Sequence, residues 1–188
     1  MPRVKEIARN DFEEKDRPIY QKLSGDYGYF QNQARILAHR PPAFRHLFNM
    51  LFELAEEDVL PKRYLEIALV TVSRLNACEY CVVHHTPRLS SYGIDPVSAE
   101  KILEAEIPGF DKVDTLVRDY AVQVTRQPQY IKDSIFVELR EYFDDSQIVE
   151  LTLRISLCGF FNRFNDALQI NIEQEAATEY ANIKEPEN

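Results

Sequence analysis

The sequence predicts an all-α, single-domain helical bundle. Three observations lead there. Apolar residues recur at intervals of three and four rather than two, glycine is scarce (5 in the chain), and turn-rich segments are brief. A chain of 188 residues is long enough for one sizeable core, and that size favours one domain over two.

The elements follow in order. Residues 1–18 are highly charged and poor in apolar side chains, so they read as a flexible arm. Ile19 to Ala38 has helical spacing and stops before His39-Arg40-Pro41-Pro42, where two prolines predict a break. Ala43 to Glu57 places Phe44, Leu47, Phe48, Leu51 and Leu54 on one side. Pro61 starts a helix through Leu65, Leu69 and Val72. Asn76 resembles an N-cap, with Glu79 three residues on to complete a capping box, and Ser91-Tyr92-Gly93 ends that helix. Asp95-Pro96 opens the next, and Ile107-Pro108-Gly109 closes it. Asp111, Asp133 and Asp145 precede periodic runs at about 112–126, 134–143 and 146–161, as caps do. Residues 173–188 form an acidic tail, expected to be loosely held.

Composition narrows the function. Net charge is −9 and the pI is about 5.0, and no run of Lys and Arg interrupts that balance. Such a chain repels phosphate backbones, so nucleic-acid binding is not expected. The longest uncharged apolar stretches, such as Ile155 to Asn162, fall short of the roughly 20 residues of a membrane span. The N-terminal residues show no apolar core of a signal peptide. A cytoplasmic protein without membrane contact is the expectation. In that compartment CxxC is more often a catalytic pair or metal site than a structural staple.

The chemistry concentrates in Cys78-Glu79-Tyr80-Cys81-Val82-Val83-His84-His85. At about 100° per residue, Cys78, Cys81 and His85 share one helix face. An imidazole is the usual base for making a thiolate. With Asn76 as cap, Cys78 falls in the first turn of a central helix, where unpaired N–H groups favour negative sulfur. Cys81 is one turn deeper and nearer His85. The thiols are therefore unequal, as peroxide reduction requires: one becomes a sulfenic acid and the other condenses with it. Glu66 is too far away on one straight helix. A fold-back at Leu75-Asn76 brings it beside His85, where its carboxylate orients the imidazole.

Other readings weigh against these. Cys78, Cys81 and His85 make three zinc ligands, but no fourth is evident nearby, so no metal is expected. Val82 after Cys81 excludes a c-type haem motif. Cys158 sits in an apolar run and reads as a buried, inert thiol. His84 lies about 100° off the cysteine face and reads as structural. Asn162, Arg163 and Asn165 read as pocket lining or an oligomer contact, the contact being favoured, and Phe160, Phe161 and Phe164 as core or interface.

Glu66, Cys78, Cys81 and His85 match E-x11-C-x2-C-x3-H, and the chain thereby resembles the alkylhydroperoxidase D-like branch of the carboxymuconolactone decarboxylase superfamily. Leu37 to Pro41, Leu60-Pro61 and Phe161 to Leu168 extend the likeness over about 35–170. The resemblance implies a carboxymuconolactone decarboxylase-like helical domain over 19–172, assembled as a homo-oligomer (trimer, dimer or hexamer). It implies a thiol-dependent peroxidase with Cys81 peroxidatic, Cys78 resolving, and His85 and Glu66 as a proton relay. No bound cofactor is implied. The partners are a small hydroperoxide and an external dithiol or redox-protein reductant. One departure is Tyr80, where the founding peroxidase has a second histidine; a phenol is a poor base at neutral pH, though Tyr80 remains a candidate substrate contact.

Two alternatives stay open. One is a decarboxylase (lyase) of the carboxymuconolactone type, which needs no thiol pair. The other is a non-enzymatic, redox-sensing oligomer.

Overall fold

The computed structural model describes residues 2–25 and 28–184. Among them are ten α-helices and no strands: α1 (Arg17–Leu23), α2 (Gln31–Leu37), α3 (Pro41–Glu57), α4 (Lys62–Leu75), α5 (Glu79–Ser91), α6 (Pro96–Glu100), α7 (Lys112–Arg126), α8 (Asp133–Leu139), α9 (Asp145–Leu168) and α10 (Gln174–Lys184). No helix among them is long and apolar enough to cross a membrane.

Helix α4 is the central post. Ile67, Ala68, Leu69, Val70 and Val72 are all buried, so its apolar surface is covered by α5, α7 and α9. A bidentate pair from Arg63 Nε and Nη2 to the Asp114 carboxylate (2.9 and 2.5 Å) ties the start of α4 to α7. Asp114 also completes a capping box with Asp111, so one carboxylate serves the clamp and the cap.

Two apolar cores result. One joins α4, α7 and α9 through Val70, Tyr120 and Leu151. The other gathers α1 to α3 around Phe44 and Phe48 and takes in Cys78, Tyr80 and Cys81. The thiol pair therefore belongs to the layer formed by the first helices, and a cavity opens where the two cores meet.

Several boundaries differ from expectation. The run Ile19 to Ala38 divides into α1 and α2, with Gly28 between them at φ +128°, a backbone that side-chain-bearing residues rarely adopt. Pro41 and Pro42 open α3 rather than separating two elements, because proline fits the first helical positions. Asp144, not Asp145, caps α9, with Gln147 closing the box. Lys132, not Asp133, precedes α8, and the Asp95 cap holds only the short α6. Helix α9 continues past residue 161 to Leu168, since Asn162 and Asn165 bond other side chains rather than competing for its backbone.

Both ends make defined contacts. In the segment read as a flexible arm, Phe12 is buried, Arg3 N–H donates to the Leu168 carbonyl and Ile7 N–H to that of Arg35. In the segment read as a loose tail, Glu173 is buried and α10 packs against α5.

Candidate active site

The fold-back falls between α4 and α5. Asn76 ends α4, Ala77 takes the left-handed conformation (φ +53°), and Cys78 is extended. Cys78 is the residue that caps α5; Asn76 does not, and no capping box forms with Glu79. The reason lies in α9: the Asn76 amide donates to Asn162 Oδ1 (2.8 Å) and is turned away from the α5 amides. Cys78 N–H is satisfied by the Ser73 carbonyl at 3.0 Å. Cys81 thus sits in the first turn of α5, nearer its positive end than the sequence suggested.

This turn brings Glu66 and His85 together. His85 Nδ1–H donates to Glu66 Oε2 at 2.8 Å, with both side chains largely buried. Burial lowers the His85 pKa below its ordinary value, and the Glu66 carboxylate opposes part of that fall. The imidazole is therefore neutral near pH 7, with Nδ1 committed to Glu66 and the Nε2 lone pair available. Arg88 Nη1 stands 3.9 Å from the other Glu66 oxygen.

The two thiols are reduced, buried and unequal. The Cys78 thiol is hydrogen-bonded to Cys81, and that bond, with burial, pushes its pKa up. Cys81 accepts a hydrogen bond from Asn165 Nδ2 at 3.3 Å, and Gln33 Nε2 holds the Asn165 oxygen at 2.8 Å. Cys81 and His85 line one cavity of about 70 Å³, with Phe30, Phe48, Leu51 and Phe161 among its apolar walls. Cys78 does not line it, so the cavity-facing sulfur of the pair is Cys81.

The structure corrects several readings. Asn162 and Asn165 are not surface contacts: both are buried and support the thiols and their turn. Phe161 is part of the cavity wall. Tyr80, read as a substrate contact, does not line the cavity; its hydroxyl donates to Glu173 at 2.9 Å, and burial raises its pKa well above the ordinary phenol value. Cys158 is buried as expected and its pKa is pushed up to about 12 by burial, yet it also lines the cavity.

A second polar cluster was not legible in the sequence. Glu173 accepts from Asn32 N–H (2.7 Å), Tyr80 Oη and His84 Nε2 (2.9 Å). His84 Nδ1 faces the Tyr80 carbonyl at 2.6 Å, and its ring stacks between Phe30 and Tyr80. The cluster joins α2, α5 and the entry to α10 behind the cavity wall. An isolated Glu in an acidic tail carried no signal of it. Among the described residues, no group of three or more His, Cys, Asp or Glu is arranged to hold a metal ion.

Comparison with known proteins agrees with this architecture. Residues 41–109 match the model of the Carboxymuconolactone decarboxylase family. No curated protein sequence matches the chain significantly. Among solved structures, an uncharacterized peroxidase-related protein from Ralstonia eutropha JMP134, described as an alkylhydroperoxidase AhpD core, is 26% identical with a TM-score of 0.80 over 94% of both chains. The debrominase Bmp8, as a cysteine-to-alanine variant in complex with 2,3,4-tribromopyrrole, is 17% identical with a TM-score of 0.79 over 96% of both chains. A putative antioxidant defence protein from Agrobacterium tumefaciens is 21% identical with a TM-score of 0.64, over 73% of this chain and 95% of its own. The fold is all-α, and its matched region resembles the carboxymuconolactone decarboxylase family. In overall fold the chain is similar to proteins of the alkylhydroperoxidase D-like branch of that superfamily.

Proposed function

We propose that this chain is a thiol-dependent hydroperoxidase working through a Cys78–Cys81 disulfide cycle. The observation that carries the reading is the contact of His85 with Glu66 beside the cavity that holds Cys81. His85 Nε2 takes the Cys81 proton. The thiolate attacks the outer oxygen of ROOH; an S–O bond forms, the O–O bond breaks, and the imidazolium returns its proton to the alkoxide as ROH. Asn165 N–H holds the sulfur in place for attack.

Cys78 then attacks the Cys81 sulfur. An S–S bond forms, the S–O bond breaks, and water leaves with the Cys78 proton. An external dithiol or redox protein supplies two electrons and two protons to restore both thiols. Cys78 is suited to wait in this scheme, because its raised pKa keeps its proton until the partner sulfur is oxidised. A cytoplasmic homo-oligomer without bound cofactor is part of the same proposal.

The test is dithiol-dependent consumption of tert-butyl hydroperoxide by wild type, Cys81→Ser and Cys78→Ser, with mass spectrometry of the oxidised protein. Stoichiometric peroxide should remove two hydrogens from the wild-type protein and link residues 78 and 81. Undiminished consumption by Cys81→Ser would refute the scheme. Substituting 2,3,4-tribromopyrrole for peroxide provides a comparison: oxidation of the pair by the aryl bromide alone would replace the peroxide as oxidant. Muconolactone decarboxylation surviving loss of both cysteines would favour the lyase.

A further inference from the structure

Arg154 is a buried cation that the proposed cycle leaves unused. Arg154, on α9, is only 7% exposed, and its buried Nη1 has no hydrogen-bond partner among the described residues. A buried guanidinium N–H without an acceptor is costly unless something else supplies one. Glu150, one turn earlier, senses this charge, but burial pushes that carboxyl toward its neutral form while Arg154 pulls it back.

The location of this side chain bears on function. Arg154 lines the inner cavity with Cys81 and also a wider outer cleft of about 470 Å³. Glu66 and Arg88 also line both, so these three charged side chains form the neck between them. Glu66 is engaged by His85 and faces Arg88. Arg154 is the guanidinium of this neck whose buried Nη1 has no acceptor among the described residues. Gly28 helps to place Arg88: a Cβ there would collide with the Arg88 guanidinium, and Arg88 lies over the Phe30 ring, 5.1 Å from its centroid. Inward of the neck the wall is apolar, through Phe48, Leu51, Leu69 and Leu157.

We propose that Arg154 at this opening forms a carboxylate subsite, and that the substrates are short aliphatic hydroperoxides bearing a carboxylate. The guanidinium fork matches a carboxylate in shape and charge. The aliphatic part enters the inner chamber towards Cys81. At about 70 Å³ that chamber is roughly half the size of one known to admit benzene, which limits what enters it to a small apolar group. The subsite stands independently of the redox cycle; the hydroperoxide group of the substrate rests on the function proposed above.

Protection of Cys81 from iodoacetamide, read by peptide mass spectrometry on the full chain, tests the subsite without turnover. Hexanoate should protect at concentrations about tenfold lower than hexanamide, a difference of ~1.4 kcal/mol in binding. Arg154→Gln should erase the difference and Arg154→Lys restore part of it. Equal protection by both probes, or none by either, overturns the inference, including the case where another subunit already supplies a carboxylate to Arg154. The wild-type comparison decides even where Arg154→Gln fails to fold. Hexanoate protection without turnover of either tert-butyl hydroperoxide or a carboxylate-bearing alkyl hydroperoxide sinks the peroxidase reading and keeps the subsite. Turnover without carboxylate preference does the reverse.

Discussion

Asn165 on α9 donates its side-chain N–H to the sulfur of Cys81, 84 residues earlier, across 3.3 Å. Gln33 holds the other end of that amide, so α2, α5 and α9 together aim one donor at one sulfur. A donor directed at sulfur favours negative charge there, and hydrogen bonds to charged groups are worth about 1.5–3 kcal/mol. Asn165→Leu should therefore slow Cys81 alkylation at pH 7 by about tenfold or more. An unchanged rate, with the fold intact by circular dichroism, would remove Asn165 from the mechanism.

Glu66 fixes the tautomer of His85 and partly offsets the effect of burial on its pKa. Glu66→Gln should lower kcat for hydroperoxide by about 100-fold, within the range of positioned acid–base groups. It should also move the acid limb of the pH profile to lower pH, since the carboxylate that raises the His85 pKa is gone. A limb that moves to higher pH contradicts this electrostatic role.

His85 also links folding to pH. Its folded-state pKa is below the unfolded value, so the unfolded chain binds the extra proton first as pH falls. Stability from this group is thus complete above the unfolded pKa of about 6.5 and declines as pH drops from there to the folded value. Denaturant midpoints between pH 7 and 5 should fall in wild type and fall less in His85→Gln.

Three buried thiols are expected to behave differently. Cys78→Ser should leave a Cys81 sulfenic acid that dimedone traps after one peroxide equivalent, because the resolving sulfur is missing. Cys158 shares the cavity, but burial pushes its pKa up to about 12 and keeps it protonated, outweighing the hydrogen bonds from Ser73 and Asn162 that pull the other way. It should remain unmodified until Cys81 has fully reacted; labelling of Cys158 first would contradict that assignment.

Glu173 accepts three hydrogen bonds, from Asn32, Tyr80 and His84, the last two fully buried. Glu173→Ala leaves the Asn32 N–H and the Tyr80 hydroxyl without their acceptor, while His84 Nε2 keeps the Tyr29 carbonyl at 2.6 Å, and should cost about 3–5 kcal/mol. For a chain of this size that corresponds to a fall in Tm of about 10 °C. Glu173→Gln, which keeps the shape and part of the bonding, should lose less.

The sequence by itself determined the helical class, through its three-and-four apolar spacing, and the placing of Cys81 and His85 one turn apart on one helix, just before whose start the structure sets Cys78. It also suggested the meeting of Glu66 with His85, since a turn at one place dictates which neighbours face each other. These are local relationships, and helix geometry is nearly constant. Tertiary structure alone decided that Asn165 meets Cys81, that Glu173 holds Tyr80 and His84, and that Arg154 comes to stand at the cavity neck. Each depends on helices distant in the chain coming to pack side by side, and no periodicity records which side chain will face which. The capping of α5 by Cys78 instead of Asn76 has the same origin: a partner on α9 took the amide that local preference had assigned to the helix start.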